Sequence, residues 1–402
     1  MSIFHNIYQG LQDACYIWRK EMVRVIKDEG VLMFFIVVPL MYPLLYSWIY
    51  NNEVVREVPV CVVDHSHSQL SRRFIRMCDA SPDVHVKYYA QDLDEAKSLV
   101  SRQLVKGVYL IPSSFEADTY GLRQGTISVY CDMSLMLTYK AIFQTAQMVS
   151  MEMGSNLAKK LGGYYTHREE VIAARPLDYE DVPIFSPAGG YGSGVLPAVL
   201  ILILQQTLVL GIGLSAGTAR DENAYRNLIP VGDSRYVKTL PIVLGKAMCY
   251  LMIYAVMGAW LVIVVPRLFH FPQLASGHTL LVLMIPYTLA CIFFGITVSC
   301  LVRYRENVML LMVFVSLPLL FLTGVSWPQS GIPGFWQGVS CLFPSTFGVR
   351  AYIRLNSMGG TLGDVLTEYH ILWLHVLIYF VVACIVYRHQ VDLARQHAKE
   401  TE

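Results

Sequence analysis

Between two long apolar runs the chain carries Gly217–Pro230, GTARDENAYRNLIP, which sets Arg220, Asp221, Glu222 and Arg226 within seven residues. Both signs of charge on one short segment suit docking to a soluble partner by charge complementarity. The plain alternative is a solvated turn. Other sets of chemistry-bearing residues are thinner. His65-Ser-His67 could seed a metal site, since imidazole is a common ligand, but no Cys, His or carboxylate cluster of ligand spacing completes it. The nine cysteines are scattered with no C-x-x-C, which argues against a disulfide framework. They read as small buried apolar groups, a Cys61–Cys131 bridge between strand ends being the alternative. Pro187–Gly194, PAGGYGSG, is Gly-rich but is no nucleophile elbow. A P-loop needs G-x-x-x-x-G-K-[ST], and Gly245-Lys246 lacks the upstream Gly. No catalytic residue, metal or bound cofactor is expected on this chain.

The elements that position the charged insert are apolar. Of 402 residues, 54% are hydrophobic and 15% charged, against about 25% charged in soluble domains. That balance marks a membrane protein. A net charge of +1 offers no field for nucleic acid. A bilayer core about 30 Å thick needs about 20 apolar residues of helix. Six runs qualify: Val31–Tyr50, Val195–Ala216, Leu240–Val265, Leu280–Val302, Val308–Val325 and Ile371–Tyr387. The first follows a charged stretch and is too long for a signal-peptide core, so it stays as an anchor. Arg19, Lys20, Arg24 and Lys27 precede span 1. Arg220, Arg226, Arg235 and Lys238 lie between spans 2 and 3, Arg303 and Arg305 between 4 and 5, and Arg388 and Arg395 follow span 6. The positive-inside rule then places both termini in the cytoplasm and the long segment after span 1 outside.

Residues 51–194 read as an α/β domain. VPVCVVD, VHVKYY, KGVYLIP and TISVYCD are strands, SQLSRRFIRMC and DLDEAKSLVSRQL are helices, and a long helix runs from Leu135 to about Lys160. The alternation predicts a largely parallel sheet. At the N-terminus Phe4, Ile7, Tyr8, Leu11, Cys15, Trp18, Met22 and Val25 recur at helical spacing with basic residues between them. That pattern suits a helix in the membrane interface or one packed on another subunit.

Residues 1–30 thus form an interface helix and 31–50 span 1. The outer domain covers 51–194, spans 2–6 cover 195–387 and a cytoplasmic tail 388–402. Within the membrane part lie the charged loop, 217–239, and an irregular outer region, 326–369. Threading the loop's four charges through lipid would cost about 2.5–3.5 kcal/mol each, so it faces water. Its pattern predicts a short helix over Asp221–Leu228 that Pro230 stops. Gln205, Gln206 and Thr207 in span 2 and Thr297 and Ser299 in span 4 either line a path or bond helix to helix. Pro39, Pro43, Pro286 and Pro318 each remove a helical hydrogen bond. Ser326–Leu355 holds Pro328, Pro333 and Pro344, too broken for a span, with Trp327, Phe335, Trp336, Leu342 and Phe343 too apolar for an exposed loop. Irregular backbone at membrane depth survives only against protein or a wet cavity, which predicts two short re-entrant helices, with Arg350 at the outer interface.

Three stretches carry a family resemblance across nearly the whole chain: VVDHSHSQLSRRF with KGVYLIPSSFEADTYGLRQGTISVYCD; the loop with Glu222, Pro230, Gly245 and Lys246; and LTGVSWPQSGIPGFWQGVSCLFPSTFGVRAYIRL with Gly324, Pro328, Ile332, Pro333, Pro344, Thr346 and Arg350. They resemble the permease subunits of type-2 ATP-binding-cassette (ABC) exporters, in particular the bacterial drug-efflux-like branch. Tyr225-Arg226 departs from the Gly-Thr common there. The resemblance implies an α-helical polytopic membrane protein of six transmembrane helices, with a small α/β extracytoplasmic domain between spans 1 and 2. It implies a homodimer in the bacterial inner membrane, with ATP and Mg on a separate nucleotide-binding subunit that docks at Arg220, Asp221, Glu222, Arg226 and Asn227. Gln205, Gln206, Thr207 and Thr297 would lie on the path of a small amphipathic or apolar substrate, and Pro328, Pro333, Trp336, Pro344 and Arg350 at the outer gate. Membrane lipid and a periplasmic adaptor are further partners to expect. The competing reading is a membrane-anchored receptor or envelope assembly factor with a ligand- or protein-binding outer domain. A secondary transporter is less favoured, since no inverted repeat or intramembrane acid is present.

Overall fold

An amphipathic helix, α1 (Ser2–Lys27), opens the computed structural model, which describes residues 2–50, 54–121, 123–161, 166, 168, 169, 190–231, 233–302 and 304–401. Two faces separate along it. Ile7, Tyr8 and Leu11 are exposed, while Ala14, Ile17, Glu21 and Val25, at three- and four-residue spacing, are buried. Asp28 ends the helix and caps the next one by accepting from the N–H groups of Gly30 and Val31 at 3.0 and 3.2 Å. Span 1 follows as one helical stretch, Glu29–Ile49. It widens to a π turn over Met33–Val37 just before Pro39, whose missing N–H a regular helix would need.

The inserted domain forms a separate unit, residues 54–183. Strands β1 (Val58–Asp64), β2 (Val84–Tyr89), β3 (Gly107–Ile111) and β4 (Ser128–Cys131) make a sheet of order β2-β1-β3-β4. The first three are parallel and β4 runs antiparallel to β3. Among the described residues helices α2 (Gln69–Asp79), α3 (Leu93–Ser101), α4 (Phe115–Tyr120) and α5 (Met136–Leu161) accompany it. Caps set the starts of two of them. Ser68 closes a capping box with Ser71, and Asp92 accepts from the N–H of Glu95 at 2.7 Å. Val60, Val62, Phe74 and Ile142 pack on one face, and Cys61, Val63 and Ala96 on the other. Cys131 packs with the first face, so the sheet separates it from Cys61 and both are free thiols. The expected return segment PAGGYGSG falls largely outside the described residues.

Residues 1–53 and 184–402 form the second unit. Span 2 is Tyr191–Glu222, span 3 Thr239–Leu268 with a π turn over Trp260–Val264, span 4 Gly277–Leu301, span 5 Arg305–Leu322 and span 6 Leu366–Thr401. With span 1 they make, among the described residues, six helices long and apolar enough to cross a membrane. Pro286 and Pro318 sit inside spans 4 and 5 without ending them. Leu204, Tyr250, Tyr254, Tyr287, Tyr352 and Tyr387 are fully buried at the core of this unit. Two short helices, α6 (Gly334–Ser340) and α7 (Pro344–Tyr352), fill the expected irregular region between spans 5 and 6.

Candidate functional site

Span 2 does not stop at Ala216 but runs on to Glu222. The cause is Arg220, a buried side chain whose guanidinium donates to the carbonyl oxygens of Cys300, at 2.9 Å, and Val302. The last carbonyls of a helix lack intrahelical partners and carry partial negative charge. Arg220 therefore caps span 4, and the sequence of spans 2 and 4 is locked at this end. The short helix expected over Asp221–Leu228 is replaced by this extension. The chain leaves the helix at Asn223 and makes one tight turn over Ala224–Arg226, with Tyr225 and Arg226 at φ 56° and 52°. Bulky side chains adopt that conformation only when their surroundings hold it. Here the Tyr225 ring stacks on His397 with centroids 4.6 Å apart, and Arg226 lies 5.3 Å from the centre of the Tyr304 ring. Buried Asn227 donates to His397 Nδ1 at 2.9 Å, which fastens the end of span 6 to the turn. Asp221, Glu222 and Arg226 remain exposed.

The charged turn rests on a buried network that the sequence reading missed. Glu21 of α1 is 1% exposed and accepts from Lys246 Nζ at 2.8 Å, Ser215 Oγ at 2.9 Å, Arg24 at 3.1 Å and the Tyr250 hydroxyl. Burial alone would raise its pKa, but Lys246 and Arg24 outweigh burial and hold the carboxyl at about 2. Arg24 also reaches out to Glu222 at 3.3 Å. Arg24 thus joins the buried carboxylate to an exposed one on span 2. Close approach makes this possible: a Cβ on Gly245 would stand 2.6 Å from the Ala14 carbonyl oxygen, so only glycine lets α1 seat on span 3. One signal was there to find. Glu21 falls in the stripe Ala14, Ile17, Val25, and Lys246 opens an apolar span, so each needs a partner.

A second carboxylate repeats the arrangement. Asp28 accepts from Arg305 of span 5 at 2.7 Å and from the Thr218 hydroxyl of span 2, and Arg305 donates to Thr218 at 3.1 Å. Burial would raise the Asp28 pKa, but the Thr218 bond, the Val31 N–H and Arg305 bring it below the ordinary aspartate value. Lys20, Arg24, Lys27, Asp28, Glu222 and Arg305 border a cleft of about 660 Å³ here.

The expected path residues separate. Gln205 and Thr207 are buried within the chain. Gln205 Oε1 accepts from the backbone N–H of Ser345 at 2.6 Å, and Thr207 accepts from Tyr254 at 2.9 Å, so both bond element to element. Thr297 donates within its own helix to Phe293 at 2.8 Å. Gln206 is half-buried and donates to the Ser316 carbonyl of span 5 at 3.4 Å. At the expected gate, Pro328 and Pro333 precede a 3-10 turn (Gln329–Gly331) and α6, Pro344 opens α7, and Trp336 is half exposed. The turn between α6 and α7 is held by span 6: His375 bonds the Cys341 carbonyl at 2.9 Å and Tyr379 donates to that of Leu342. Gly348 packs on the Tyr287 ring where no Cβ would fit. Arg350 lies 5.8 Å from the centre of the Phe347 ring, and the nearby carboxylate of Glu368 pairs with Arg354 instead, at 2.9 Å.

Residues 30–385 match the model of the ABC-2 family transporter proteins. The chain belongs to that family. Six apolar helices and a charged, structured loop are thus the transmembrane permease of an ABC transporter, and membership implies an ABC ATPase as its partner. A search among curated proteins finds no match. Among the described residues no group of three or more His, Cys, Asp or Glu could hold a metal, His65 and His67 included.

Proposed function

We propose that this ABC-2 permease exports a small amphipathic or apolar substrate, working as a homodimer in a bacterial inner membrane with both termini in the cytoplasm. A separate subunit binds ATP and Mg, and docks over Asp221, Glu222 and Arg226. The observation that carries this reading is the chain of contacts Glu222–Arg24–Glu21–Lys246. A push on exposed Glu222 passes directly to α1 and span 3, while Arg220 and Asn227 link the same turn to spans 4 and 6. Such a turn is a lever on four helices, which a solvated loop is not. At the other end of the spans, α6 and α7 serve as the outer gate, with Pro328, Pro333, Trp336, Pro344 and Arg350 shaping it. Gln205 ties that gate to span 2, and half-buried Gln206 is the residue best placed for the path. The inserted domain faces outward and meets a periplasmic adaptor.

Affinity purification of the chain from its native membranes tests the core of the proposal. An ABC ATPase should co-purify in equal stoichiometry. Recovery of the chain with envelope proteins and no ATPase would favour an anchored receptor and overturn the exporter reading. Cysteines placed singly from Gly331 to Thr346 test the gate: labelling from outside should follow a helical rhythm that changes with nucleotide, whereas uniform labelling would mark an ordinary loop.

A further inference from the structure

The inserted domain carries two adjoining cavities that the export reading does not use. In its sheet the crossover through α2 packs on one face and that through α3 on the other, so the chain reverses direction around β1. Ligands of such sheets sit beyond the carboxyl ends of the strands near that reversal. A cleft of about 1150 Å³ lies at that carboxyl end, beside the β1/β3 reversal and beyond Asp64 of β1 and Tyr89 of β2. Arg72, Arg73 and Arg76 of α2 and Lys160 of α5 line it, and among the described residues none of the four is paired with a carboxylate. Among the described residues the lining's single acid is Asp64, already engaged by the Ser71 hydroxyl at 2.7 Å and by the N–H groups of Ser66 and His67 at 3.0 Å.

Leu70 and Leu157 border this cleft and also a second cavity of about 430 Å³. The second is apolar, walled by Phe74, Phe115, Ile127, Val129, Phe143 and Met153. Volumes of about 300–1000 Å³ with apolar walls and a few convergent polar groups are those of small-molecule sites. An inorganic anion would use only the cleft and a neutral hydrocarbon only the slot. We infer that the inserted domain binds a single-chain anionic amphiphile, its carboxylate or phosphate head among the three arginines and Lys160, its alkyl chain passing Leu70 and Leu157 into the slot. Charge complementarity fixes the head, and removing the chain from water supplies the affinity. The inference concerns this domain alone and is independent of export.

The full-length chain in phosphatidylcholine nanodiscs is irradiated with dodecanoate bearing a terminal diazirine, and labelled peptides are mapped. Label is expected on α2, α5 and the β4 region. Unlabelled dodecanoate or dodecyl phosphate should compete for it, while dodecanol or inorganic phosphate at the same concentration should not. Arg73→Glu with Arg76→Glu should lower capture by about tenfold or more. Gly154 borders the slot, and a Cβ there meets nothing within 4 Å, so Gly154→Trp should fill the slot, keep the melting temperature and weaken capture comparably. Label confined to the spans, equal competition by dodecanol, displacement by inorganic phosphate alone, or unchanged capture in both variants would overturn the assignment.

Discussion

The two ends of the spans handle buried polarity in opposite ways. At the α1 end, Glu21, Asp28, Lys246 and Arg305 are all paired, and no buried polar side-chain atom among them lacks a partner. At the end with α6 and α7, Ser345 Oγ, Arg350 Nη2, Tyr352 OH, Glu368 Oε2 and His375 Nδ1 are buried without one among the described residues. Saturated networks rigidify, and unsatisfied groups lower the cost of rearrangement. On the proposed reading the first end suits force transmission and the second a change of shape.

Glu21→Leu should have the largest effect. It leaves Lys246 buried and unpaired, which should cost about 3–5 kcal/mol, whereas Glu21→Leu with Lys246→Met should restore part of that, because apolar replacements of buried pairs are often neutral while the Ser215 and Tyr250 hydroxyls still lack their acceptor. Thermal unfolding of the purified chain measures both. Acid gives a second test. A carboxyl held at about 2 when folded, and near 4.5 when exposed, contributes stability that is complete above the latter and fades as pH falls toward the former. The melting temperature should decline below about pH 4.5, and the decline should be shallower in the double variant. At the opposite end, Gln205→Leu strands the N–H of Ser345 and should cost about 1–3 kcal/mol, while Tyr379→Phe should cost about 1 kcal/mol or less. If Tyr379→Phe destabilised as much as Glu21→Leu, the contrast between the two ends would fail.

What the sequence disclosed, and what it hid, divides along the same line. β1 and β2 run over the stretches read as strands, and Asp92 caps α3, because alternation and capping are local signals. The existence of six spans was legible from hydropathy, though the helices of spans 2 and 6 run past the apolar runs to Glu222 and Thr401, and α6 and α7 were legible from prolines set among aromatics. The form of the charged turn was not. Arg220 looks like a loop cation until its target, the open end of span 4, is known, and that end lies about eighty residues away in sequence. For Gln205 and Thr207 the sequence left a path lining and helix-to-helix bonding both open, and only their partners Ser345 and Tyr254 show that they bond element to element. Long-range pairing, unlike periodicity, has no local spacing to betray it.

The most direct test of the central claim uses the exposed face of the charged turn. Asp221→Arg with Glu222→Arg reverses its acidic charge, and among the described residues the one ion pair that Glu222 makes is to Arg24, on the exposed side of the turn, worth about 1 kcal/mol or less. Co-purification of the ATPase and its nucleotide-driven transport should be measured for wild type and this variant side by side. The variant should remain a folded permease, with wild-type melting behaviour to within a few degrees, and should lose the ATPase and all transport. A variant that retained the ATPase and transported normally would contradict the central claim.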